Sequence, residues 1–174
     1  DANVYPPMSD YLRERDIRVR SFHKESLSHD PDLVVVGNAV TKENPEAKEM
    51  FKRGLSFCSM PQAVNRFAAD GKDIILITGT HGKTTTSSLM AWILMESGLD
   101  PSFFIGGIMK DYNSNYRLGK GGGQIVIEGD EYDTAFFDKK AKFFHYPPKQ
   151  AVITSLEFDH ADIYKDFDVL KEAF

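Results

Sequence analysis

Ile74-Ile75-Leu76-Ile77-Thr78-Gly79-Thr80-His81-Gly82-Lys83-Thr84-Thr85-Thr86 is the stretch that decides the fold. Four consecutive aliphatic residues, Ile74–Ile77, read as a strand of a parallel sheet. A helical pattern follows from Lys83 to Ser97 and is stopped by Gly98. Strand, glycine loop and helix in that order form the setting of a P-loop, because backbone N–H groups and a helix N-terminus converge on bound anions. Gly79 and Gly82 let the backbone fold tightly around phosphate oxygens. Lys83 can reach the β- and γ-phosphates of a nucleoside triphosphate, and the Thr84 hydroxyl can ligate Mg²⁺. Gly79, Thr80, His81, Gly82, Lys83, Thr84 and Thr85 are therefore the candidate nucleotide-binding residues. The loop is two residues shorter than the general G-x-x-x-x-G-K-[ST] form, with Ile77 where its first glycine would stand. The rival reading is a glycine-containing turn with an exposed lysine. Glycines, lysine, hydroxyls and flanking elements agree against it.

Moving outward, a triphosphate site needs acids for its metal. The apolar strand Gln124–Glu128 runs into Glu128-Gly129-Asp130-Glu131, and the strand Ala151–Ser155 runs into Glu157-Phe158-Asp159-His160. Ligands of an open α/β sheet collect at the carboxyl ends of its strands. Glu128 is thus placed to face the loop and hold a metal with Thr84. A neutral His160 at the next strand end can ligate a second metal or contact the γ-phosphate. A solvated acidic turn and a surface histidine are the bland alternatives for these two positions. Gly119–Gly123 reads as a turn rather than a second phosphate loop, since no helix follows it.

Upstream, short apolar runs alternate with helical stretches, the mark of βαβ construction. A helix over Met8–Arg15 and a short strand around Ile17–Phe22 are expected, then a strand at Leu33–Val36 buried on both faces. Asn44-Pro45 opens a helix that Gly54 closes, and Pro61–Ala69 reads as another helix. The polar turn Asp70–Asp73 suggests a boundary, giving units 1–70 and 71–174. The chain has 174 residues, 41% hydrophobic and 27% charged, as a soluble globular protein has. Its net charge of −5 argues against nucleic acid as a partner. The one cysteine, Cys58, makes no internal disulfide and reads as a small hydrophobe. No apolar run suits a membrane span, and no signal peptide is visible, so the expected compartment is the cytoplasm. No start methionine precedes Asp1 and no helix cap precedes Phe174, so the chain is expected to be part of a longer protein.

Together these stretches resemble the Mur ligase family, the ATP-dependent amide-forming enzymes of bacterial peptidoglycan. The family's G-T-[HN]-G-K-[ST]-[ST] loop matches Gly79–Thr85, its strand-end acid matches Glu128, and its [EAT]-x-D-H stretch matches Glu157–His160. The resemblance implies an α/β fold: a Rossmann-like UDP-binding portion, then a P-loop parallel-sheet ATP-binding portion, both incomplete, with the C-terminal domain absent. It implies Lys83, Glu128 and His160 as catalytic residues, with Thr84 and Glu128 on one Mg²⁺ and Glu128 and His160 on a second. It also implies that ATP phosphorylates the lactyl carboxylate of UDP-N-acetylmuramate, after which an amine displaces phosphate. Glu128–Glu131 and Asn44-Pro45-Glu46 resemble the branch that acts on UDP-N-acetylmuramate itself. Within it, Glu131–Lys139, Lys142-Phe143, His145-Tyr146, Asp1–Ser9 and Gly37–Thr41 resemble members that attach a recycled murein tripeptide, L-alanyl-γ-D-glutamyl-meso-diaminopimelate. The alternative within the branch adds L-alanine. Two departures stand out: Gly129 for the commoner Ala, expected to loosen the backbone beside Glu128, and Ser155 for Asn, which puts a side-chain contact there in doubt.

Outside the family, a P-loop kinase or GTPase and a non-catalytic nucleotide-binding module compete. The GTPase reading lacks an Asn-Lys-x-Asp guanine motif in this stretch. His23, His29 and His145 read as structural or surface residues. Phe136, Phe137, Phe143, Phe144 and Tyr146, among Lys139, Lys140 and Lys142, read as core that shapes the substrate face.

Overall fold

The computed structural model describes residues 5–6, 8–120 and 122–157. In chain order, α1 (Met8–Arg13) precedes β1 (Val34–Val36), α2 (Pro45–Arg53), β2 (Phe57–Ser59), α3 (Met60–Phe67), β3 (Asp73–Thr78) and α4 (Lys83–Glu96). Then come β4 (Ser102–Met109), β5 (Ser114–Arg117), β6 (Gln124–Glu128), β7 (Asp133–Ala135), β8 (Asp138–Ala141) and β9 (Gln150–Ile153). The fold is mixed α/β around a five-stranded sheet of order β5-β4-β6-β3-β9, in which only the β4–β5 pair is antiparallel.

β3 lies between β6 and β9, so its side chains alternate into two packed layers. Ile74 and Leu76 join Ile125, Ile127, Phe143 and Tyr146 on one face, with Val64 and Ala68 from the α3 region packed against them. Ile75 and Ile77 join Phe103, Ile105, Val126 and Ala91 of α4 on the other. The long helix after the glycine loop therefore covers one face of the sheet, and the helix before β3 covers the opposite one.

Local chemistry explains the helix ends. Asn44 caps α2, its Oδ1 accepting from the N–H of Glu46 at 2.9 Å, and Gly54 closes it at φ 63°. Ser59 and Gln62 form a reciprocal capping box at the start of α3.

Three expectations need correction. Residues 17–22 form no strand; Ile17 and Val19 are 50% and 41% exposed, and side chains without a facing layer give no reason to pair. β1 is not buried on both faces: Val36 is buried, but Val35, on the opposite face, is 49% exposed. Gly129 does not loosen its surroundings. A Cβ there would lie 2.8 Å from Leu76 Cδ1 and 2.9 Å from Phe143 Cβ, so close packing rather than freedom demands glycine.

Candidate functional site

β3 delivers the chain to Gly79 in the middle of the sheet, and the turn at Gly82 starts α4 at Lys83. Gly79 sits at φ 122°, and a Cβ would approach Thr154 Oγ1 to 2.5 Å and the Ser155 carbonyl oxygen to 2.7 Å. Only glycine fits that backbone and that space.

The loop is laced to the segment after β9. Thr80 N–H donates to the Ser155 carbonyl at 2.9 Å, and His81 N–H donates to Ser155 Oγ at 3.1 Å. Thr80 Oγ1 accepts from Glu157 N–H at 3.0 Å and donates to the Glu157 carbonyl at 3.1 Å. Ser155 thus does make a side-chain contact, and the contact is with the loop itself. The first N–H groups of α4 have no acceptor within the helix, since the ladder starts with Thr86 N–H on the Gly82 carbonyl at 2.9 Å. They are positioned for an anion.

Glu128 stands at the end of β6, beside β3, and joins three elements. One of its oxygens accepts from the Thr84 hydroxyl at 2.9 Å, the other from Gly106 N–H at 2.7 Å. A side chain at Gly106 would press within 2.9 Å of Glu128 Oε1, so β4 gives the carboxylate its seat by carrying glycine. Both Thr84 and Glu128 offer hard oxygen, the ligand type Mg²⁺ takes, and Mg²⁺ commonly keeps waters beside one or two protein ligands. These two residues fit that ion. No group of three or more His, Cys, Asp or Glu suited to a metal occurs among the described residues. His160 lies outside the described residues.

Lys83 is turned inward. Its ammonium donates to the Gly79 carbonyl at 2.7 Å and the Thr80 carbonyl at 3.2 Å, and it meets Glu131 Oε2 at 2.8 Å. Glu131 is 2% exposed. The acid run after β6 was visible in sequence, but the assignment of Glu131 rather than Asp130 to Lys83 was not, because it depends on how the chain turns after Gly129. Asp130 instead pairs with Lys142. Lys83, Glu128, Glu131, Tyr132 and Lys142 line a cleft of about 490 Å³, to which Met60 also contributes.

Of the other candidates, His81 and Thr85 are exposed at the loop and the start of α4. His145 faces Asp138 at 3.0 Å, both largely buried, in a structural pairing. The Cys58 thiol is pushed above its ordinary pKa by burial, which suits a packing role. Burial, with the nearby Asp130 charge, likewise pushes the Tyr146 phenol up, so it stays protonated.

The family model of the Mur ligase middle domain matches residues 77–174, and that of the Mur ligase family catalytic domain matches residues 1–72. The chain belongs to the Mur ligase family. Within it, the chain is 41% identical along its whole length to the UDP-N-acetylmuramate–L-alanyl-γ-D-glutamyl-meso-2,6-diaminoheptandioate ligase of Escherichia coli strain K12. It is similar in structure to a ligase of the same description from Neisseria meningitides, with a TM-score of 0.92 and 38% identity over 100% of this chain and 57% of that one. A UDP-N-acetylmuramate–L-alanine ligase from Sinorhizobium medicae is 38% identical over 94% of this chain and 33% of its own length. The chain spans 38% of the length of the Escherichia coli relative. Family membership sets aside the kinase and GTPase readings.

Proposed function

We propose that this chain carries the ATP-binding part of a ligase that joins UDP-N-acetylmuramate to L-alanyl-γ-D-glutamyl-meso-diaminopimelate in peptidoglycan recycling. The observation that carries the ATP reading is the Thr84–Glu128–Gly106 arrangement at the head of the glycine loop. The choice of tripeptide is supported by the 41% identity along the whole chain to a relative named for that substrate. Residues 1–70 are then the remainder of a Rossmann-like UDP-sugar domain and 71–174 the first part of a P-loop domain. The meeting of the two family models between residues 72 and 77 supports that division. The cytoplasm, which holds ATP and nucleotide sugars, is the compartment of such a reaction.

Each residue has a task in this reading. The loop N–H groups and the start of α4 cradle the phosphates, and Lys83 neutralises charge on the β- and γ-phosphates. Thr84 and Glu128 hold Mg²⁺, which supplies further charge neutralisation on phosphate oxygens when bound; the family resemblance adds His160 to a second metal. The substrate carboxylate attacks the γ-phosphorus and ADP leaves, giving an acyl phosphate. The tripeptide amine then attacks the acyl carbon, phosphate leaves, and the nitrogen loses its proton. The cleft beside the loop brings carboxylate and phosphate together, and positioning of that kind supplies much of the rate.

The test is ATP turnover by the full-length protein with UDP-N-acetylmuramate, comparing the tripeptide with L-alanine by kcat/KM. The tripeptide is expected to win by at least an order of magnitude. A preference for L-alanine assigns the chain to the alanine-adding ligases; turnover with neither amine refutes the ligase reading.

A further inference from the structure

The Lys83 ammonium is held by two loop carbonyls and one carboxylate. Its three donor hydrogens face the Gly79 carbonyl at 2.7 Å, the Thr80 carbonyl at 3.2 Å and the Glu131 carboxylate at 2.8 and 3.1 Å. The lysine side chain is 14% exposed and Glu131 is 2% exposed. Burying an ion pair costs desolvation of both members, and a well-packed apolar pair often serves stability as well or better. An acid in that position therefore calls for a reason beyond packing.

The geometry supplies one. Lys83 reaches a phosphate only by giving up some of these acceptors, and Glu131 is the charged one among them. We propose that Glu131 is a positioning residue that competes with nucleotide phosphate for Lys83. It holds the ammonium within the loop, resists the approach of a polyanion, and recaptures the ammonium as ADP departs. The idea rests on the reading of the loop as an ATP site and adds a second role to the acid run: Glu128 for the metal, Glu131 for the lysine.

The sign of the effect separates this from a structural role. Loss of a merely structural ion pair loosens the loop and weakens nucleotide binding. Loss of a competing anion tightens it. Glu131→Gln in the full-length protein is therefore expected to bind ADP and ATP about three- to tenfold more tightly by calorimetry, and to release ADP correspondingly more slowly. Glu131→Asp, which keeps the charge, is expected to stay within about twofold of wild type. Glu96→Gln, at the opposite end of α4 and exposed, makes the same change in net charge and controls for long-range electrostatics.

Glu131→Gln binding that is unchanged or weaker, while wild type binds ADP, overturns the proposal and leaves the ATP site standing. No nucleotide binding by wild type overturns both. If the Gln variant does not fold, a crystal structure of the wild-type protein with ADP and Mg²⁺ decides. Lys83 Nζ on phosphate oxygens and away from Glu131 supports competition; an ion pair kept intact with the phosphates unattended by Lys83 refutes it.

Discussion

Replacing Lys83 by Ala removes the ammonium that bridges the Gly79 and Thr80 carbonyls and the buried Glu131. Loss of one such electrostatic contact costs about 3 kcal/mol or more in a transition state, so turnover is expected to fall at least about a hundredfold. The protein should still fold, though with a buried carboxylate left to rearrange. Activity within a few-fold of wild type would refute the phosphate role of the loop. Gly129 offers a contrast, since its effect belongs to stability. A methyl there meets Leu76 and Phe143 from both sides at under 3 Å, and overpacking of that kind costs about 1–3 kcal/mol. Gly129→Ala should lower the melting temperature, and because the strain lies directly behind Glu128, it should also weaken Mg²⁺-dependent ATP binding. A variant as stable as wild type would show that the backbone has room to shift. Lys83, Thr84 and Glu128 were legible as residues because strand, loop and helix patterns set them in place. The partners of Glu131 and Ser155 were not, because they are set by how the chain turns after Gly129 and after β9, which no periodicity records.

Among the elements, β3, α4, α2 and β6 could be read from runs of aliphatic residues and from caps, and the structure places them within a few residues of expectation. β4 escaped notice although it flanks the site. Its run Ser102-Phe103-Phe104-Ile105-Gly106-Gly107 is broken by two glycines, which look like a turn in sequence and serve in the structure to admit Glu128 and Thr84. The hairpin of β7 and β8 was hidden for another reason: Asp133, Asp138, Lys139 and Lys140 give it poor strand propensity. Its tip is held instead by rings. Phe136 stands 5.9 Å from Phe51 of α2, Phe137 stands 5.0 Å from Phe57 of β2, and each pair is completed by the 5.2 Å contacts Phe51–Phe57 and Phe136–Phe137. All four are edge-to-face, the favoured geometry, worth about 0.5–1.5 kcal/mol a pair beyond area. The stretch expected to shape the substrate face thus reaches back to the first part of the chain; of its other aromatics, Phe143 and Tyr146 lie in the core, whereas Phe144, expected there too, is 55% exposed. Phe137→Ala should destabilise by about 2–4 kcal/mol, read as a lower melting temperature, while the ADP affinity stays within about twofold of wild type. A large loss of ADP affinity would mean that the ring cluster supports the phosphate loop as well.

At the scale of the whole molecule, the polar turn at Asp70 and the packing of the sheet divide the chain differently. The turn separates α3 from β3 in sequence, yet Val64, Ala68 and Ala69 lie against Ile74, Leu76, Ile125 and Ile127. The capping box at Ser59 fixes where that helix begins, and Ser59 also ends β2, so one residue links the β1–β2 pair to the cover of the central sheet. Removing α3 would bare an aliphatic face in the middle of the sheet. Restoring that face to water costs about 25 cal/mol for each Å² of apolar surface, on the order of several kcal/mol for the side chains that α3 shields. A stability of 5–15 kcal/mol, typical of a domain, leaves little in reserve after such a loss. Two shortened forms of the full-length protein therefore make a decisive pair. One beginning at Leu55 keeps α3 and should melt cooperatively without binding a hydrophobic dye. The other, beginning at Gly71, should bind the dye strongly, melt earlier and lose ATP affinity, because β3 and β6 carry the loop and Glu128 on the layer that α3 supports. Equal melting temperatures for the two would show that the working boundary of the ATP-binding unit lies at Asp70, and that α3 is only a neighbour leaning on it.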